Sequence, residues 1–173
     1  MKSEKIVFGG GCFWCTEAVF SLFEGVIRTI SGYAGGTITD PTYEQVCTDK
    51  TGHAEVLEIE YDPKIISLEK LLDVFFTMHE PTSLNRQGND VGTHYRSIIL
   101  YTTKEQEKTS LEFIKKIQKD YDKPIVTEVK KLDRFYPAEE YHQKYYSRNS
   151  FEPYCSLVIG AKIHKVKKKY GLK

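Results

Sequence analysis

Two of the four cysteines stand three residues apart in "FGGGCFWC", with Phe13 and the only tryptophan, Trp14, between them and three glycines in front. A thiol attacks as its thiolate, so the first question is what would ionise Cys12. The run reads as a strand turning through glycine into a helix. Helix N-termini carry unpaired N–H groups and a partial positive charge, which favour a thiolate there. The glycines permit a tight turn and let a ligand come close to the backbone. The rings need a different explanation. Adjacent helical residues project about 100° apart, so Phe13 and Trp14 do not both face one core, and at least one is left to wall a pocket. Two aromatic faces beside a thiol suit a methyl group carried on sulfur.

Further candidates lie downstream. In "HAEVLEIEYD", Leu57, Ile59 and Tyr61 alternate with Glu58 and Glu60, so the odd positions face inward and Glu55 shares their side. An inward carboxyl near an apolar pocket keeps its proton, which suits a general acid; at a frayed strand start it would simply be solvated. Tyr43 and Tyr95 fall at loop–strand junctions, where a hydroxyl packs at a rim or donates to an oxygen. Asp90, in "GND", reads most simply as a turn residue. His94 and His142 read as surface or hydrogen-bonding residues, and Cys47 as buried packing. Other chemistries remain open for the Cys12/Cys15 pair: half of a zinc site, a redox-sensing module, or a thioredoxin-like dithiol. Zinc would need ligands from Cys47, Cys155 or the five histidines, none of which forms a second close pair. A thiol hydrolase would need an imidazole partnered to Cys12, and none stands at a recognisable position.

The elements that must hold these groups follow from periodicity. "KIVFG" reads as a strand, "CFWCTEAVFSLFEG" as a helix stopping at Gly25, and "VIRTISGY" as a strand. Residues 33–50 read as a long loop before the strand that carries Glu55. "SLEKLLDVFFTMH" has helical spacing behind a Ser67 cap, and "EPTSLNRQGNDVGTH" is a second loop before the strand "YRSIILYT". Thr103 with Gln106 three residues on has the pattern of a capping box opening the next helix. "PIVTEVKKL" reads as a further strand, and "PAEEYHQKYY" as a short helix with Pro137 at its first position. The order β-α-β-β-α-β predicts an α+β two-layer sandwich with a ferredoxin-like (split βαβ) core, plus an appended helix, a strand and an irregular C-terminal segment. One domain over residues 1–173 is expected. The net charge of +1 argues against nucleic-acid or membrane binding, and the basic run "KIHKVKKKYGLK" reads as a solvated, frayed end. No apolar run is long enough to span a bilayer, and no signal-peptide pattern opens the chain. Four cysteines at this length fit a reducing cytoplasm better than a secreted scaffold.

Taken together, "GGGCFWC", "SGYAGG", "PTYEQVC", "TGHAE", "HEPT", "NRQGNDVGTHYRS", "FYPAEEYHQKYY" and "PYC" resemble the peptide methionine sulfoxide reductase A family over nearly the whole chain. The resemblance implies reduction of the S-epimer of methionine sulfoxide, free or in proteins. Cys12 would attack the sulfoxide sulfur while Phe13 and Trp14 hold the methyl group. Glu55 would protonate the oxygen, Tyr43 and Tyr95 would hydrogen-bond to it, and Asp90 would help shape the site. Cys12 would be left as a sulfenic acid that condenses with a second thiol to a disulfide. Thioredoxin, or dithiothreitol in vitro, would then restore the dithiol, with no tightly bound cofactor or metal and a monomeric enzyme. Many members carry Gly where Cys15 stands and a Gly-rich tail with two cysteines. This chain has Cys15 and a single C-terminal Cys155, so either could resolve the sulfenic acid; Cys155, on a segment that could swing, is slightly preferred.

Overall fold

The computed structural model describes residues 2–173. Its centre is a six-stranded sheet made of β1 (Glu4–Gly9), β2 (Val26–Ala34), β3 (Ala54–Tyr61), β6 (Ile98–Tyr101), β7 (Glu128–Lys131) and β8 (Phe135–Pro137). The spatial order is β7-β6-β1-β3-β2-β8, with every neighbouring pair antiparallel except β6 and β7. Helices α1 (Phe13–Phe20), α3 (Leu68–Met78) and α4 (Lys104–Ile117) cover one face. The molecule is thus a mixed α+β fold.

Period-two alternation places Ile6, Phe8, Leu57, Ile59, Tyr61 and Ile99 under these helices, where they meet Val19, Phe20, Leu71, Leu72 and Phe75. Phe8 stacks on Phe75 with ring centroids 4.7 Å apart. The other face buries Val7, Ala34, Ala54, Val56, Ile98 and Leu100, partly under Leu132 and Phe135. Ser67 caps α3 as its sequence position suggests, accepting from the Lys70 N–H. Thr103 likewise caps α4, but the Gln106 side chain accepts from the Thr102 N–H rather than closing the box on Thr103.

Several elements differ from the sequence reading. Helix α1 ends at Phe20 rather than running to Gly25, which lies at φ +95° in the turn into β2. The loop of residues 33–50 contains a one-turn helix, α2 (Tyr43–Cys47), closed by a capping box between Thr42 and Gln45. The second loop holds a small ladder of β4 (Arg86–Gln87) and β5 (Asp90–Val91). Pro137 does not start a helix: it ends β8 on the outer edge of β2, where a missing N–H costs nothing. A 3-10 turn at Glu140–His142 comes next, and the first α-helical turn after it is α5 (Tyr145–Arg148).

The largest correction is the C-terminus, which is neither irregular nor frayed. A π-helical turn, Cys155–Ile159, runs straight into α6 (Gly160–Tyr170). Ile159, Ile163 and Val166 recur at helical spacing and are buried in the main core. The Tyr170 hydroxyl donates to Asp73 at 2.6 Å, and Lys169 Nζ reaches Thr77 at 2.6 Å and Asp73 at 3.2 Å, tying α6 to α3. Lys167, Lys168 and Lys169 fall in the last turn, where cations complement the exposed carbonyls. Gly171, at φ +64°, closes the helix in the left-handed conformation.

Candidate active site

The glycine run has two separate jobs. A Cβ on Gly9 would lie 2.8 Å from Ile98 and 3.0 Å from the Glu55 carbonyl oxygen, so its absence lets β1 close against β3 beside the site. Gly11 takes φ +89° and turns the chain into α1 while its N–H donates to the Tyr95 carbonyl. Cys12 follows as the extended residue preceding α1.

Glu55, 2% exposed, faces the helix side of β3 as its parity with Leu57 requires. Its Oε2 accepts from the Phe13 N–H at 3.1 Å. Burial pushes its pKa up to about 8 against the pull of that N–H, with Asp90 and Cys15 raising it further, so the carboxyl is protonated at neutral pH. Tyr43, at the start of α2, and Tyr95, in the turn Thr93–Tyr95, are half-buried and lie close enough to Glu55 to feel its charge. Burial, and after it Glu55, raises both hydroxyls above the usual phenol range, leaving them neutral donors.

The helix terminus does not ionise Cys12 as its position suggested. The Phe13 N–H is taken by the Glu55 carboxyl, and the Trp14 N–H, which bonds the Cys12 sulfur and lowers its pKa, is outweighed. Burial is the main cause that raises the Cys12 thiol, reinforced by its hydrogen bond with Cys15 and by the nearby Glu55. Cys15 is the acidic member of the pair: the Cys12 hydrogen bond outweighs burial and brings it down to about 7. Cys12 is therefore a poised thiol beside a readily ionised neighbour. Cys12 as a residue keeps 8% of its surface.

Phe13 is buried against Tyr33 and His142, with centroids 5.8 and 5.0 Å away. Trp14 is half-buried, stacked on Tyr145 at 3.7 Å and edge-on to Tyr154 at 6.1 Å. Asp90 is more than a turn residue. Its Oδ2 accepts from the Tyr154 hydroxyl at 3.0 Å, and that oxygen lies 3.8 Å from Cys15 Sγ. Cys155 is fully buried in the same core cluster as Cys12 and Cys15, and burial first, then Glu152 and Cys15, raise its pKa. Cys47 is exposed at the end of α2, not buried packing. Among the described residues no three His, Cys, Asp or Glu side chains converge as a metal site.

Reasoning from sequence missed the wall opposite α1. His142 is completely buried and accepts from Trp14 Nε1 at 3.0 Å through its Nδ1. Glu139 accepts from the Tyr33 hydroxyl at 3.0 Å and from the Tyr43 N–H at 3.2 Å. A buried indole N–H needs an acceptor, and that need, applied to the only tryptophan, was the available signal.

The chain also matches proteins of known family. The family model for peptide methionine sulfoxide reductase matches residues 4–173. A curated relative from Saccharolobus solfataricus, "Peptide methionine sulfoxide reductase MsrA", is 53% identical over 95% of this chain and 93% of its own. Among solved structures, Mxr1 from Saccharomyces cerevisiae in reduced form superposes with TM-score 0.85 at 34% identity, covering 89% of this chain and 90% of that one. Mxr1 in complex with Trx2 gives TM-score 0.61 at 27% identity, covering 83% and 85%. With half its residues shared with one relative and the family pattern running from β1 to its last residue, the chain belongs to the peptide methionine sulfoxide reductase family.

Proposed function

We propose that this protein reduces the S-epimer of methionine sulfoxide, free or within proteins, with Cys12 as nucleophile and Glu55 as general acid. The carrying observation is the hydrogen bond from the Phe13 N–H to Glu55, which fixes a protonated carboxyl beside the residue that follows the thiol. A sulfoxide oxygen leaves poorly unless protonated. Glu55 supplies that proton, and Tyr43 and Tyr95 donate hydrogen bonds to the same oxygen. Cys12 attacks the sulfur, and the proton it gives up restores Glu55. A bond forms between the two sulfurs and the substrate S–O bond breaks as hydroxide leaves. That hydroxide then adds to the Cys12 sulfur, and the sulfide departs with the electron pair of the broken S–S bond, leaving Cys12 oxidised by two electrons to the sulfenic acid. Phe13 and Trp14 enclose the methyl group, and Asp90 shapes the site through Tyr154.

The sulfenic acid then condenses with a thiol, releasing water. The contact between Cys12 and Cys15, and the lowered pKa of Cys15, support Cys15 as the first thiol to reach it. Cys155, which shares the core cluster with Cys12 and Cys15 and feels the charge of Cys15, is suited to take over the disulfide by exchange. Thioredoxin returns the enzyme to its dithiol state, as does dithiothreitol in vitro. Support for thioredoxin comes from Mxr1, which forms a complex with Trx2. We further read residues 1–173 as one catalytic domain, working as a cytoplasmic monomer without a bound cofactor. The order β6-β1-β3-β2, all antiparallel and bridged by α1 and α3, supports a ferredoxin-like (split βαβ) description of its centre.

Thiol titration before and after one equivalent of a methyl sulfoxide tests the activity. The protein should lose two thiols and release one sulfide, and Cys12→Ser should do neither. A Cys12→Ser variant that still released sulfide would refute the assignment.

A further inference from the structure

The segment after β8 crosses the site as a strap. Gln143 donates to the Ser31 and Ala138 carbonyls and accepts from the Ser31 N–H, and Glu17 on α1 accepts from the Lys144 N–H at 2.7 Å. Glu139 binds Tyr33 and Tyr43 as described. The strap therefore joins α1, β2 and α2, and His142 is the side chain it delivers to the pocket. The imidazole lies 4.5 Å from the Tyr43 ring and 5.0 Å from that of Phe13, centroid to centroid.

An indole N–H only donates, so the bond from Trp14 fixes Nδ1 of His142 as an acceptor and puts the ring proton on Nε2. That Nε2 has no partner in the protein. Phenylalanine would fill nearly the same volume without leaving a buried N–H unpaired. What imidazole adds at this position is the acceptor for Trp14. Tyr145 stacking holds the plane of the indole but leaves it free to slide within that plane. The hydrogen bond removes that freedom.

We propose that His142 is a positioning residue that locks Trp14 as a wall of the methyl pocket and so sets the enzyme's discrimination between methyl and larger alkyl sulfoxides. This rests on the reading that Trp14 holds the methyl group. A fixed wall excludes an added methylene; a sliding one admits it, and one methylene in an apolar pocket is worth roughly 10- to 200-fold.

The test compares methionine sulfoxide with ethionine sulfoxide in His142→Phe and His142→Asn, the latter keeping an acceptor near the Nδ1 position. His142→Phe should raise KM for methionine sulfoxide about tenfold with a smaller change in kcat, and narrow the methyl-to-ethyl ratio in kcat/KM by at least about tenfold. His142→Asn should restore most of the ratio. Trp14 is the only tryptophan, so its emission should shift in the Phe variant and return in the Asn variant. An unchanged ratio and emission in folded His142→Phe would overturn the proposal. Should that variant not fold, nitrogen-15 spectra of the unaltered protein decide: an Nε2–H tautomer and an exchange-protected indole support the role, and an Nδ1–H tautomer refutes it. If the parent protein released no sulfide at all, the failure would lie in the reductase reading and not in His142.

Discussion

At the scale of single residues, Glu55 meets two opposed demands. Burial that keeps it protonated for the proposed proton donation also makes it a liability to the fold. Its pKa is about 8 in the folded protein against an ordinary 4.5, so between those values the folded state holds a proton that the unfolded chain releases. Stability therefore falls as pH rises across that window, and the full contribution is retained only below it. Glu55→Gln cannot ionise. Its stability relative to the parent should improve by on the order of 4 kcal/mol from about pH 5 to about pH 8, read by urea unfolding at each pH. Its turnover should drop by at least ~10²-fold, the usual worth of a placed general acid. In the parent protein, turnover should decline above about pH 8 as Glu55 loses its proton. A variant with normal turnover, or a flat difference in stability, would remove Glu55 from the role.

At the scale of elements, α6 decides how the C-terminal third is understood. Ile163 is the rim contact of that helix with the main core. Ile163→Ala should cost about 2 kcal/mol, the low end for such truncations because the side chain is not wholly enclosed, measured as a lowered urea midpoint. An unchanged midpoint would mean that α6 does not dock. The same helix shows why part of the fold was legible and part was not. The alternation in β3 and the apolar face of α3 are uninterrupted patterns, so they placed Glu55 and Ser67 correctly. In α6, Ile159, Ile163 and Val166 have equally regular spacing, but lysines surround them and the run looks like a solvated tail. Pro137 misled differently: proline fits both the first turn of a helix and the end of an edge strand, and only pairing with β2 decides between them. At the site, residues close in sequence to Cys12 could be read directly. Glu139 and His142 reach it from more than a hundred positions away, through a strap without periodicity.

At the scale of the molecule, folding brings the two ends of the chain together around three sulfurs, since Cys12, Cys15 and Cys155 share one core cluster. After one equivalent of methyl sulfoxide, Cys155→Ser should still lose two thiols and show a disulfide between positions 12 and 15 by peptide mapping. Its turnover with thioredoxin should fall while turnover with dithiothreitol persists. Cys15→Ser should instead leave a sulfenic acid that dimedone traps. A disulfide from Cys12 to Cys155 formed at full rate without Cys15 would reverse the order proposed. The enclosure of Cys12 also limits what the enzyme can mend. The residue keeps so little open surface that an oxidised methionine must project from its own backbone to arrive there. A damaged side chain packed inside another protein's core is out of reach until that core loosens. Repair of such damage should therefore run at the pace of the client's own breathing, and the most rigid proteins should be served last.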